Sequence, residues 1–124
     1  MGLFSKSNSL AEARINWIHL EDRDKLNYLI SQSEYMPVLL FKHSTRCSIS
    51  IMAKSRLESD GDLTNEQIIP VYLDLLMHRS ISNEIADIFG VKHESPQVLL
   101  IKDGICVYDA SHSQISVKDL KEHL

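Results

Sequence analysis

Hydrophobic residues fall along this chain in two alternating rhythms. Short apolar runs rich in strand formers occur at Ile15–Leu20, Val38–Phe41, Ile68–Leu75, Val98–Ile101 and Ile105–Tyr108, and runs of this kind predict strands. Between them the apolar positions spread to helical spacing. Leu26, Tyr28, Leu29 and Ile30 follow capping carboxylates at Glu21, Asp22 and Asp24. Ile49, Met52, Ala53 and Leu57 follow Cys47, and Ile81, Ile85, Ile88 and Phe89 follow the capping candidates Ser80 and Ser82. Breakers stand where the rhythm changes: Pro37 before the second strand, Gly61 after the second helix, Pro70 early in the third strand, Gly90 after the third helix. Lys102-Asp103-Gly104 predicts a tight hairpin, and a last short helix is expected over Val117–His123. The order is β-α-β-α-β-α-β-β-α. Helical crossovers demand parallel pairing and the hairpin antiparallel pairing, so the expectation is an α/β fold with a central mixed sheet flanked by helices.

Residues 1–12 are small and polar and read as an N-terminal tail. No repeat, low-complexity tract or linker divides the rest, so 13–124 reads as a single domain.

Composition removes several classes of function. At 124 residues the chain can bury a real core. Its net charge is −4, with Lys and Arg scattered, which offers no electrostatic footprint for nucleic acid. No apolar run approaches membrane-spanning length, so no membrane partner is expected. The start, Met1-Gly2-Leu3-Phe4-Ser5-Lys6-Ser7, resembles an acylation signal, but Lys6 stands where Ser or Thr is required. It also lacks the apolar core of a secretion signal. Two cysteines, Cys47 and Cys106, are too few for a disulfide scaffold. A reducing, cytoplasmic address is the default expectation.

The chemistry concentrates around Cys47, which lies where a strand ends and a helix begins. Unpaired N–H groups and the positive end of the helix dipole favour a thiolate there, and Arg46 adds a fixed charge. A free cysteine is most often a buried structural residue. Here the flanks His43, Ser44, Thr45, Arg46, Ser48 and Ser50 form a polar collar instead. None of the six histidines shows a ligand spacing such as H-E-x-x-H, so no metal site is expected. Cys106 alternates with Ile105 and Val107 and is expected to be a small buried filler.

Two features separate this chain from α/β domains at large: a cysteine opening the helix after the second strand, and a proline, Pro96, starting the fourth. Together they resemble the thioredoxin fold, in which that proline is cis and lies against the reactive cysteine. The likeness extends to the turn at Lys102-Asp103-Gly104. Longer segments go further: Phe41-Lys42-His43-Ser44-Thr45-Arg46-Cys47-Ser48-Ile49-Ser50, Leu73-Asp74-Leu75, His93-Glu94-Ser95-Pro96-Gln97-Val98 and Ala110-Ser111-His112-Ser113. These resemble the YtxJ-type, monothiol bacilliredoxin-like proteins of the bacillithiol system, over nearly the whole chain from about Trp17. Ser48 departs from the pattern, where proline is more frequent, and leaves a backbone N–H free beside the sulfur.

The resemblance implies a monothiol thiol–disulfide oxidoreductase. A dithiol enzyme carries a second cysteine three residues after the first; here that residue is Ser50, which can donate a hydrogen bond to the Cys47 thiolate but cannot form a disulfide. Cys47, Ser50 and Arg46 are the implied catalytic residues. His43, Thr45, Ser95, Pro96, Gln97 and His112 are the implied substrate-binding ones. Bacillithiol is the implied co-substrate, with no bound cofactor, and bacillithiolated proteins are the implied clients. Since bacillithiol carries carboxylates, Arg46, Lys42, His43 and the Ser95–Gln97 backbone are expected to meet them, with Glu94 paired to Arg46 or to a backbone donor. Two rivals stand beside this reading. One is a monothiol glutaredoxin-like protein using glutathione or an iron–sulfur cluster, although the Gly-Gly-Asp loop of that family is missing after the fourth strand. The other is a non-catalytic thioredoxin-like binding module.

Overall fold

A computed structural model describes residues 15–59 and 63–124. The 1–12 tail and the helix stop at Gly61 lie outside the described residues. The elements are β1 (Ile18–His19), α1 (Arg23–Gln32), β2 (Val38–His43), α2 (Ser48–Ser59), β3 (Ile69–Asp74), α3 (Arg79–Phe89), β4 (Gln97–Lys102), β5 (Ile105–Ser111), a 3₁₀ turn (His112–Gln114) and α4 (Val117–Glu122). They form a five-stranded sheet in the order β1-β3-β2-β4-β5. β1, β3 and β2 run parallel, while β4 and β5 are antiparallel to their neighbours. This is the predicted element order and the predicted mixed sheet.

Both faces of the sheet are covered. Leu39 and Phe41 of β2 pack with Ala53 and Leu57 of α2 and Leu120 of α4. Val38 and Leu40, on the opposite face, pack with Leu26 and Leu29 of α1 and Ile81 and Ile85 of α3. A strand covered on both sides reads as an unbroken apolar run. All six residues of β2 are buried, including its last two, Lys42 and His43. By strand alternation Lys42 continues the Val38–Leu40 face and His43 the Leu39–Phe41 face.

Local chemistry sets the ends of the elements. The Asp22 carboxylate accepts the Lys25 N–H to cap α1, and Ser116 caps α4 through the Asp119 N–H. At the β4–β5 turn Asp103 and Gly104 have φ of 52° and 76°, two consecutive left-handed residues. That conformation matches the twist of a hairpin and suits an Asp-Gly pair. The turn is tied to the end of α1, with the Asp103 N–H donating to the Ser33 carbonyl and the Gly104 N–H to Ser33 Oγ.

Three local expectations are corrected. β1 is only two residues long, because it is an edge strand bonded on one side to β3. α3 begins at Arg79, so Ser80 and Ser82 lie inside it instead of capping it; Asp74 Oδ1 accepts the Leu76 and Met77 N–H groups just upstream. β5 continues past Tyr108 to Ser111, since the exposed Asp109 preserves the alternation.

Candidate functional site

The site gathers at the end of β2. Lys42 pairs with Gln97 in the antiparallel β2–β4 ladder, so one further step on each strand sets Pro96 beside His43. The chain then turns through Ser44, Thr45 and Arg46. The Cys47 N–H donates to the Ser44 carbonyl at 3.2 Å, and the Cys47 carbonyl accepts the Ile51 N–H at 3.0 Å. Cys47 therefore occupies the N-cap of α2, with its carbonyl in the first intrahelical bond and its side chain outside the helix. It is a half-buried free thiol flanked by the exposed Thr45 and Arg46. On the β4 side the Ser95–Pro96 peptide is cis. The His112 N–H donates to the Pro96 carbonyl at 2.9 Å, which fastens this segment to the end of β5.

Ser50 and His43 do something other than expected. Ser50 is 0% exposed. Its Oγ accepts the Ser44 N–H at 3.0 Å and lies 2.7 Å from His43 Nδ1. Burial lowers the His43 pKa, helped by the Lys54 charge and opposed by Asp74, Ser50 and Glu58. A neutral ring with its proton on Nε2 accepts the single Ser50 proton at Nδ1. In that arrangement the hydroxyl expected to donate to the Cys47 thiolate is directed to His43. His43 itself is 3% exposed, between the rings of Phe41 and Tyr72. Through Ser50 it braces the turn from beneath.

The other face of β2 carries a second polar group. Lys42, expected to greet carboxylates at the surface, is 0% exposed. Its Nζ donates to the Ser82 carbonyl of α3 at 3.3 Å and lies 3.3 Å from His93 Nδ1, which is also 3.1 Å from Ser82 Oγ. Burial holds the Lys42 pKa down at about 8. Burial also lowers that of His93, with the charges of Lys42 and Arg79 acting the same way and Glu94 against them. Gln97 is buried as well: its Nε2 donates to the Lys92 carbonyl and Ser111 Oγ, and its backbone is taken up by β2 and β5. Lys42, His93 and Gln97 are thus inner supports of the 92–96 segment. Ser95 is half-buried, with its Oγ enclosed and unpartnered among the described residues. Glu94 Oε1 faces His112 Nε2 at 3.8 Å, not Arg46.

Two groups escaped the sequence reading. The Lys42–His93–Ser82 cluster is one; its signal was a lysine at an inward position of a strand covered on both faces. Arg56 is the other, its Nη2 donating to the carbonyls of His112 (3.3 Å) and Ile115 (3.5 Å). Cys106 is half-buried, donates to the Tyr108 carbonyl at 3.3 Å, and has its pKa raised chiefly by burial. It pairs with Ile101, roughly 16 Å along β4 from Pro96 and so at the opposite end of the sheet from the strand end that leads into Cys47. Among the described residues no group of three or more His, Cys, Asp or Glu could hold a metal ion. No described helix is long and apolar enough to cross a membrane.

One cysteine heads α2, and a buried serine stands where a resolving thiol would sit one turn later. On this sheet, that arrangement defines a monothiol site on a thioredoxin fold. Solved structures share the architecture. One is described as a candidate oxidoreductase with a thioredoxin fold, 30% identical with a TM-score of 0.72, the match covering 86% of this chain and 91% of that one. The thioredoxin of Malassezia sympodialis is 14% identical with a TM-score of 0.71, covering 90% and 93%. Thioredoxin f of spinach chloroplast is 14% identical with a TM-score of 0.66, covering 89% and 91%. The sequence profile of the monothiol bacilliredoxin BrxC matches residues 18–120, and the chain belongs to that family. It is a thioredoxin-like redox protein.

Proposed function

We propose that this protein removes bacillithiol from protein mixed disulfides through Cys47. The Cys47 thiolate attacks the bacillithiol sulfur of a client–S–S–bacillithiol disulfide. That bond breaks, the client leaves as a thiolate that takes up a proton, and Cys47 keeps the bacillithiol as a new disulfide. The client cysteine is reduced and Cys47 oxidised. A second bacillithiol thiolate then attacks the bound bacillithiol sulfur, returning Cys47 as a thiolate and leaving bacillithiol disulfide. No bound cofactor enters the cycle, and it suits a reducing compartment such as the cytoplasm. In this reading Arg46 and Thr45, which are exposed on the turn before Cys47, meet the incoming disulfide.

The carrying observation is the pair Cys47 and Ser50: a half-buried thiol at the N-cap of α2 and, one turn on, a fully buried hydroxyl bonded to His43. Such a site can form a mixed disulfide but cannot resolve it internally. The direct turn of β4 into β5 at Asp103 and Gly104 favours this reading over a glutathione-binding glutaredoxin. The test is a purified protein carrying one bacillithiol on a known cysteine. The expected result is loss of the adduct from the client, its appearance on Cys47 by mass spectrometry, and no transfer by Cys47→Ser. Transfer that survives in Cys47→Ser would refute the proposal.

A further inference from the structure

A groove leads from the head of α2 toward its far end. Ile49, Met52, Arg56, His112 and Ser113 line a cavity of about 240 Å³. A second, of about 390 Å³, shares Arg56 and Ser113 and continues to Ser59, Ser116 and Lys118. At the end that begins with Ile49, two residues after Cys47, and with His112, bonded to the Pro96 carbonyl, the floor is apolar and open, with Ile49 50% and Met52 60% exposed. The cations come farther on. Arg56 is held by the two carbonyl bonds from Nη2, which leaves further guanidinium donors for a ligand. Glu94 is the acid beside the groove and lies against His112; no ion pair engages Arg56 among the described residues.

We propose that this groove seats the small-thiol half of the mixed disulfide, its stem on Ile49 and Met52 and its carboxylate on Arg56; the inference rests on the exchange reading above. The geometry sets the ligand's length. Nine residues separate Cys47 from Arg56, about 13 Å along the helix axis and half a turn around it; the long Arg56 side chain leans back toward the helix start, so the carboxylate belongs roughly 10 to 13 Å from the sulfur. The groove also supplies a reason for which sulfur is attacked. A small thiol anchored along α2 presents its own sulfur to Cys47 and leaves the client's sulfur outward as the leaving group. Attack at the other sulfur would instead trap the client on a protein with no resolving thiol nearby.

The test uses two peptide disulfides that differ only in charge, one made with mercaptooctanoic acid and one with its amide, and the full protein as donor-acceptor. The acid probe is expected to react faster, with the advantage shrinking as salt is added. Arg56→Gln should lower the acid-to-amide rate ratio about tenfold, the loss of one charge-assisted hydrogen bond, and Arg56→Lys should restore part of it. Met52→Glu, at an exposed position, should lower the same ratio by repulsion and serves if the arginine variants do not fold. A ratio unchanged in the folded variants, with both probes still reacting at Cys47, would overturn the groove and leave the exchange reading intact. Failure of the wild-type protein to react with either probe while it still takes bacillithiol from a bacillithiolated client would overturn the groove alone, and failure with that client as well would overturn both.

Discussion

Lys42 gives the sharpest quantitative prediction. Its ammonium sits in a wholly buried position, with a backbone carbonyl and a histidine as partners. Burial lowers its pKa from the ordinary 10.5 to about 8. The unfolded chain therefore binds this proton more tightly than the folded one. The penalty is present in full below pH 8 and disappears as pH rises toward 10.5, so stability climbs across that window. At ~1.4 kcal/mol per pH unit the full effect is about 3 kcal/mol, most of it falling between about pH 8 and the unfolded value of 10.5. Lys42→Met keeps the volume and removes the titration. It also removes two hydrogen bonds, each worth about 1 kcal/mol, although His93 keeps Ser82 Oγ as a partner. The variant should thus be about as stable as the wild type, or slightly more so, near pH 7. It should be less stable by about 1 kcal/mol near pH 10, where the hydrogen bonds outweigh what is left of the penalty. Urea denaturation of both proteins at several pH values, read as the difference between them, isolates Lys42 from the other groups that titrate at high pH. A difference that stays flat with pH would refute the assignment of a desolvated, charged Lys42.

Other expectations follow from the same contacts. Ser50→Cys places a second thiol one helical turn from Cys47, within disulfide range, so the oxidised variant should carry an internal 47–50 bridge, seen as the loss of two hydrogens by mass spectrometry. It should also be about 1 to 3 kcal/mol less stable when reduced, because the Ser44 N–H and His43 Nδ1 lose their partner; an unchanged denaturation midpoint would count against that network. Cys106, half-buried with its pKa raised by burial, should stay unalkylated in the native protein while Cys47 is labelled, and should react once denaturant is added. Equal labelling of both cysteines in the native state would contradict its placement.

Most of the fold was legible because its strongest elements are also its most punctuated. β2 and β4 are continuous apolar runs that begin beside prolines, and Gly90 and the Asp103–Gly104 turn adopt the left-handed conformations that their residue types favour. The 3₁₀ turn at His112–Gln114 was not foreseen, since its polar residues carry no periodic signal. At the site, Cys47 and Pro96 were visible as punctuation at a strand end and a strand start. The duties of His43, Ser50, Lys42 and Gln97 were not. Polar residues flanking a cysteine in one dimension read as a surface collar, yet one of them, His43, closes together with Lys42 a strand that helices cover on both sides. Whether a polar side chain points to solvent or inward depends on that cover, which comes from residues far away in sequence: Tyr72, Ser82 and His93.

The two buried clusters share a logic that follows from β2 alone. Consecutive residues of a strand point to opposite faces, so Lys42 and His43 send polar groups to opposite sides of the sheet from one point in the chain. His43 reaches Ser50, whose Oγ also takes the Ser44 N–H; that sets the turn leading into Cys47. Lys42 reaches Ser82 and His93, while its ladder partner Gln97 holds the Lys92 carbonyl; together they set the segment leading into Pro96. The turn before Cys47 and the segment before Pro96 are thereby braced from one strand end, on separate faces that need not move together. Loss of the His43 contact should therefore disturb the turn before Cys47 without shifting the Pro96 segment, and loss of the Lys42 contact the reverse.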